Sequence, residues 1–174
     1  HCRISMNKSI SVTNRRVAFQ FKGGRDYVHG TDIYTSIADT ITTEYCANTP
    51  ASNTLLKLAI RKPSHHHCRL DISPVGSTVK KPNSTVVEFQ FSYHKQAYRG
   101  WLSETDCPVS EHYDYAEQQV LATCEVSENT ANIINCSEFS TVENLVAATK
   151  YLHITRFPGA AGKWFFSRLE LQEL

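Results

Sequence analysis

Arg25, Asp26, Tyr27, His29 and Asp32 fall within eight positions of one another. Their ionisable and hydrogen-bonding ends suit acid–base or acyl-transfer chemistry. His29 can act as a base or as a polarising group, and Asp32 can orient a water or move a proton. Tyr27 can serve as an acid. Backbone amides at the start of a following helix can stabilise an oxyanion. Arg25 can hold a phosphate or carboxylate on a substrate, and Arg99 with Trp101, flanking Gly100, forms a second binding pair of the same kind. Each residue also has a plainer reading. Asp32 can be a helix cap, His29 a hydrogen-bonded loop residue and Tyr27 half-buried packing. Arg25 with Asp26 can be a turn salt bridge of little energetic weight, and Arg99 a surface ion pair.

Two more conspicuous motifs fail on geometry. His65-His66-His67-Cys68 has metal-binding residue types, but neighbours along a strand point to opposite faces. Neither His65 with His67 nor His66 with Cys68 completes a closed site, so no metal is expected there. Gly159-Ala160-Ala161-Gly162-Lys163 resembles half of a phosphate loop. It lacks the first glycine and a following Ser or Thr, and the next residues read as a strand, whereas a phosphate cradle needs a helix N-terminus. No cofactor is expected.

The sequence has 174 residues, 41% of them hydrophobic and 20% charged, with a net charge of +1. That is the composition of a globular domain. It carries no basic footprint for nucleic acid and no apolar run of membrane-spanning length. Met6 is the only methionine. If it is the native start, residues 1–5 are foreign and a cytoplasmic location is expected. If His1 is a mature N-terminus, the chain is secreted, and the His1 amine and ring can ligate copper with a second histidine. The six cysteines, Cys2, Cys46, Cys68, Cys107, Cys124 and Cys136, permit three disulfides. Their wide spacing and the apolar surroundings of Cys68, Cys124 and Cys136 favour buried thiols. Sequons at Asn7, Asn83 and Asn135 matter only in a secretory compartment.

The elements that must position these groups follow from periodicity. Alternation over 17–21 predicts a strand with Val17, Phe19 and Phe21 on one face. Gly23 and Gly24 then allow a turn. Thr31 or Asp32 can cap a helix whose apolar stripe is Ile33, Ile37 and Ile41. Its threonines are weak helix formers, so packing on a sheet must hold it. Residues 44–54 read as a loop. Strands are expected over 55–60, 68–72, 85–93 and 98–102, and a loop or short helix over 103–115. Alternation predicts further strands over 117–126 and 131–136. Ser140 and Glu143 form a capping box for a second helix over 142–154, with the stripe Val142, Leu145, Val146, Thr149 and Leu152. A last strand spans 164–171.

This order predicts an α+β class: a mostly antiparallel sheet wrapped around or packed on two helices, with residues 1–16 as an N-terminal arm and 17–174 as one domain. With the segment Tyr27-Val28-His29-Gly30-Thr31-Asp32 leading into the first helix, the arrangement resembles the hot-dog fold of thioesterases and dehydratases. The resemblance is topological. It implies a loop that helps to line an acyl-thioester tunnel, and hence hydrolysis or dehydration of a small acyl substrate. The rival fold is a β-sandwich or barrel of a secreted protein. The rival function is a non-enzymatic, oligomeric binding module that uses the chain's aromatic residues as an interface. The expected partner is a small molecule bearing a phosphate or carboxylate, with no nucleic acid and no membrane; a homodimer is admitted.

Overall fold

The computed structural model describes residues 13–46, 56–127, 129–134, 138–160 and 164–172. His1, Cys2, Met6, the sequons at Asn7 and Asn135, Cys136 and the Ala161–Lys163 part of the Gly-Lys run lie outside the described residues. The elements in chain order are β1 (Thr13–Val17), β2 (Phe21–Lys22), α1 (Gly30–Glu44), β3 (Leu56–Ile60), β4 (His66–Pro74), β5 (Thr85–Tyr93), β6 (Gln96–Pro108), β7 (His112–Tyr113), α2 (Glu117–Leu121), β8 (Cys124–Val126), β9 (Ala131–Ile133), α3 (Thr141–Arg156) and β10 (Arg168–Leu171).

The architecture is α+β: a six-stranded antiparallel sheet, ordered β1-β4-β6-β5-β3-β10, packed with two main helices. This is consistent with a hot-dog-like arrangement. Two small pairings complete it, β2 with β7 in parallel and β8 with β9 antiparallel. The helix α1 supplies Ile33, Ile37 and Ile41 to the core, as its spacing predicts. They meet inward residues of the sheet, among them Leu56, Leu58, Leu70, Ile72, Phe89, Phe91 and Leu102. Opposite Phe89 sits Gly100. A Cβ there would lie 2.1 Å from Cζ of Phe89, so only glycine lets that ring lie flat on β6. The β5–β6 hairpin turns through His94 and Lys95, both at positive φ, the geometry of a two-residue type I′ turn. No helix among the described residues is long and apolar enough to cross a membrane.

Several boundaries differ from expectation, each for a tertiary reason. The first strand begins at Thr13 and leaves the sheet after Val17. Phe19 and Phe21 remain buried, but the Phe19 amide donates to Nδ1 of His67 at 3.1 Å, and Phe21 pairs with β7 instead. Residues 103–108, polar and expected in a loop or short helix, extend β6. Ser103 and Glu104 pair with Arg69 and Cys68, and the Glu104 carboxylate accepts from Ser64 Oγ and the His65 amide, both at 3.0 Å. The strand expected over 117–126 is instead the short helix α2 followed by β8. Of the last expected strand only Arg168–Leu171 pairs as β10, although the Ile60 amide also reaches the Ser167 carbonyl at 2.9 Å.

The capping box of α3 is present in both directions between Ser140 and Glu143. Of its expected apolar stripe, however, only Val142 is buried. The buried side carries Val142, Asn144, Ala147 and Ala148, and α3 packs on α1, α2, β8 and β9. Leu145 is 45% exposed.

Candidate functional site

The site grows from Lys22, whose side chain has no solvent exposure. A buried ammonium is costly unless every proton finds an acceptor. Lys22 has three. Its Nζ donates to Thr31 Oγ1 at 3.1 Å, to Asp32 Oδ1 at 3.5 Å and to Glu143 Oε1. The rings of Tyr115 and Tyr113 flank it, with Nζ 4.1 Å and 5.9 Å from their centroids. Four segments therefore converge here. Pairing of β2 with β7 sets Lys22 beside Tyr113, the first turn of α1 contributes Thr31 and Asp32, and the cap of α3 contributes Glu143. After Lys22 the chain turns at Gly23, which takes φ of 59°.

Tyr113 Oη donates to both oxygens of Asp32, at 3.0 and 2.9 Å. Burial first, and the Asp32 charge next, push the Tyr113 phenol far upward, so it stays protonated. Burial and the Glu143 charge push Tyr115 up to about 12. Burial alone would raise Glu143, but its bonds from Lys22 and Ser140 outweigh that and hold its carboxyl below the usual range.

On one side of this cluster lies a cavity of about 660 Å³ between the 24–29 loop, α3 and residues 164–169. One wall is apolar: Leu145 and Val146 from α3, with Phe165, Phe166 and Leu169 opposite. Gly30 makes this wall possible, since a Cβ there would lie 2.3 Å from Cδ1 of Phe166. The other end is polar. Glu117 Oε1 lies 3.3 Å from Arg25 Nη2 and 2.7 Å from Lys150 Nζ. Burial would raise Glu117, but the Lys150 bond and the charges of Lys150 and Arg25 draw its carboxyl below the usual range. One carboxylate thus faces two cations. Tyr27 packs against Phe165 with centroids 5.9 Å apart, and His153 against Trp164 at 4.5 Å.

His29 lines the same cavity. It occupies the N-cap position of α1 without capping it through its side chain. Its Nδ1 lies 2.8 Å from Thr31 Oγ1. Burial, then the positive charges of Arg25 and Lys22, lower its pKa to about 3, so the imidazole is neutral at ordinary pH.

The structure brings Arg25, Tyr27 and His29 to one cavity. Asp32 belongs instead to a neighbouring groove of about 880 Å³, where it appears with Tyr113, Glu143, Arg15, Arg16 and Asp39. It sits in the first turn of α1, where its charge suits the helix dipole, and not at the cap position the sequence suggests. Arg25 meets Glu117 and not its neighbour Asp26 through its Nη2. Arg99 and Trp101 lie on the opposite face of β6 from Tyr98, Gly100 and Leu102, away from α1. There Arg99 stacks 5.2 Å over Trp101 and donates to the Ser77 and Val79 carbonyls, both at 2.9 Å. In the histidine run, His65 Nδ1 lies 2.6 Å from the Asp26 carbonyl and His67 Nδ1 accepts from Phe19. Burial pushes the Cys68 thiol up to about 11. Among the described residues no three His, Cys, Asp or Glu side chains are placed to hold a metal ion. Among the described residues, Cys68, Cys107 and Cys124 are free thiols.

Lys22, Tyr113, Tyr115, Glu117, Glu143 and Lys150 were not legible as site residues. Lys22 precedes the Gly23–Gly24 turn, and nothing nearby in sequence marks it as buried. The tyrosines sit in the polar stretch that reads as loop. The one available signal was the apolar stripe Leu145, Val146 and Thr149 of α3, which lines the cavity.

Comparison of the chain with protein-family models, curated proteins and solved structures finds no match.

Proposed function

We propose that the protein binds a small amphipathic acyl ligand, of the kind presented by acyl thioesters and acyl carboxylates, in the cavity beside α3. The observation that carries this reading is the cavity's polarity. Leu145, Val146, Phe165, Phe166 and Leu169 offer an apolar wall, while Arg25, Lys150 and His29 gather at a polar end. Ligand pockets are of this size and have this mix of apolar lining and a few convergent polar groups. Arg25 and Lys150 share a single carboxylate, so an anionic or carbonyl head group would complement the residual positive charge. His29, with its pKa lowered to about 3, serves as a neutral hydrogen-bond partner and is too weak a base to act as one at neutral pH. Asp32 faces the other groove and is already engaged by Tyr113 and Lys22, which favours binding over acid–base turnover by a His29–Asp32 pair.

Calorimetric titration with acyl carboxylates and acyl thioesters of graded chain length tests the reading. Saturable binding is expected, weakened roughly tenfold or more by Arg25→Ala, the scale of a lost charge-assisted hydrogen bond. Binding should be abolished by Leu145→Trp, which fills the cavity from an exposed helical position. Absence of saturable binding, or wild-type affinity in the Leu145→Trp protein, would overturn it. Thioester hydrolysis by the parent, His29→Ala and Asp32→Ala proteins tests for turnover in the same samples.

A further inference from the structure

The hydroxyl of Thr31 is the junction between His29 and the Lys22 cluster, and its neighbours constrain which way each proton points. A threonine hydroxyl has one proton to give and two lone pairs to receive. Lys22 Nζ, 3.1 Å away, can only donate to it. The Asp32 carboxylate, 3.3 Å away, can only accept from it. The third neighbour is His29 Nδ1 at 2.8 Å. With the hydroxyl proton directed to a charged acceptor and one lone pair taken by the ammonium, the remaining lone pair must receive a proton from Nδ1–H. The ring is then the Nδ1–H tautomer, and its Nε2 carries a lone pair.

We infer that Thr31 is a positioning residue that holds His29 as the Nδ1–H tautomer, so that Nε2 accepts a hydrogen bond from an N–H or O–H on the ligand, beside the carboxylate or carbonyl taken by Arg25 and Lys150. The inference rests on the ligand-binding reading above and narrows it. The preferred ligand has an apolar chain, a hydrogen-bond donor and an anion, as in an N-acyl amino acid. Arg25 and Lys150 supply donors only; at this end of the cavity His29 is the neutral ring that can turn a lone pair toward the ligand. Glu117 and Glu143, the carboxylates that line the cavity, are engaged by Arg25, Lys150 and Lys22.

Two measurements test this on the full chain. Two-bond proton–nitrogen NMR correlations, with the His29 signal assigned by its loss in His29→Ala, report the tautomer directly. Wild type and Thr31→Ser should show a protonated Nδ1. Thr31→Val, which cannot accept, should shift the ring toward Nε2–H. A wild-type ring protonated on Nε2, or a Thr31→Val ring unchanged from wild type, overturns the assignment. N-decanoylglycine and N-decanoylsarcosine, which differ by replacement of the amide N–H with N–CH3, test the ligand preference. Wild type and Thr31→Ser should favour the glycine conjugate roughly tenfold, the scale of one hydrogen bond to a buried acceptor, and Thr31→Val should lose that preference. Equal affinities in wild type overturn the donor preference. If neither probe binds, the acyl-ligand reading fails, while the tautomer result still decides the role of Thr31.

Discussion

Acidification should cost the wild-type protein stability that a His29→Gln variant keeps. The folded ring titrates near 3, because burial and the charges of Arg25 and Lys22 disfavour the imidazolium, whereas an unperturbed histidine titrates at 6.5. Between those values the unfolded chain binds a proton that the folded chain refuses. Stability therefore rises with pH across this window and is lost as pH falls below 6.5. A fully desolvated ring would lose about 1.4 kcal/mol per pH unit, or about 2 kcal/mol by about pH 5. His29 borders an open cavity, and solvent screening reduces the expected loss to about 1 kcal/mol. Urea unfolding of both proteins at about pH 7.5 and about pH 5 measures it, and the other histidines cancel in the difference. Glu117 and Glu143, held below the usual carboxylate range, stay ionised throughout this interval and do not intrude. A difference in unfolding free energy that stays constant between the two pH values would refute the claim that the folded ring excludes its proton.

Lys22→Met should destabilise the protein by about 3 kcal/mol, since it strands two carboxylates, Asp32 and Glu143, that lose their shared partner. Denaturant midpoints check this, and Glu143→Gln combined with Lys22→Met should recover part of the loss. Gly30→Ala should cost about 2 kcal/mol and weaken ligand binding, because its methyl displaces Phe166 from the cavity wall. Phe166→Leu in the same chain should restore stability, as read by thermal unfolding.

The parts of this fold that were legible in the sequence are those fixed by short-range chemistry. The isoleucine stripe of α1, the span of β5 and the Ser140–Glu143 capping box each follow from residues within a few positions of one another. What escaped depends on partners far along the chain. Alternation in 117–126 reads as a strand, but only Val120 within α2 is buried. Polar residues 103–108 read as a loop because nothing local reveals that β4 pairs with them. Lys22 and Tyr113 stand 91 positions apart, and the β2–β7 pairing with the approach of α1 and α3 makes the lysine a buried cation. The apolar stripe of α3 reads as a core face, yet of its members only Val142 is buried. Val142, Asn144, Ala147 and Ala148 form the buried side, while the larger Leu145 and Val146 line the cavity.

That exchange of roles explains why the candidate chemistry sits where it does. The helix α3 buries small and medium side chains and turns Leu145 and Val146 elsewhere. Here they face residues 164–169 across the cavity, next to the N-terminus of α1. Glu143 at the cap of α3 reaches Lys22, while Lys150, two turns on, reaches Glu117. The same helix thus anchors the buried cluster at one end and positions a cavity cation at the other. His29 at the N-cap of α1 and Asp32 in its first turn border different spaces: the ring lines the cavity and the carboxylate the groove. Thr31 is the contact between them. The groove and the cavity thus meet at two points, the Thr31 hydroxyl held by Lys22 and the Glu143 side chain, which lines both.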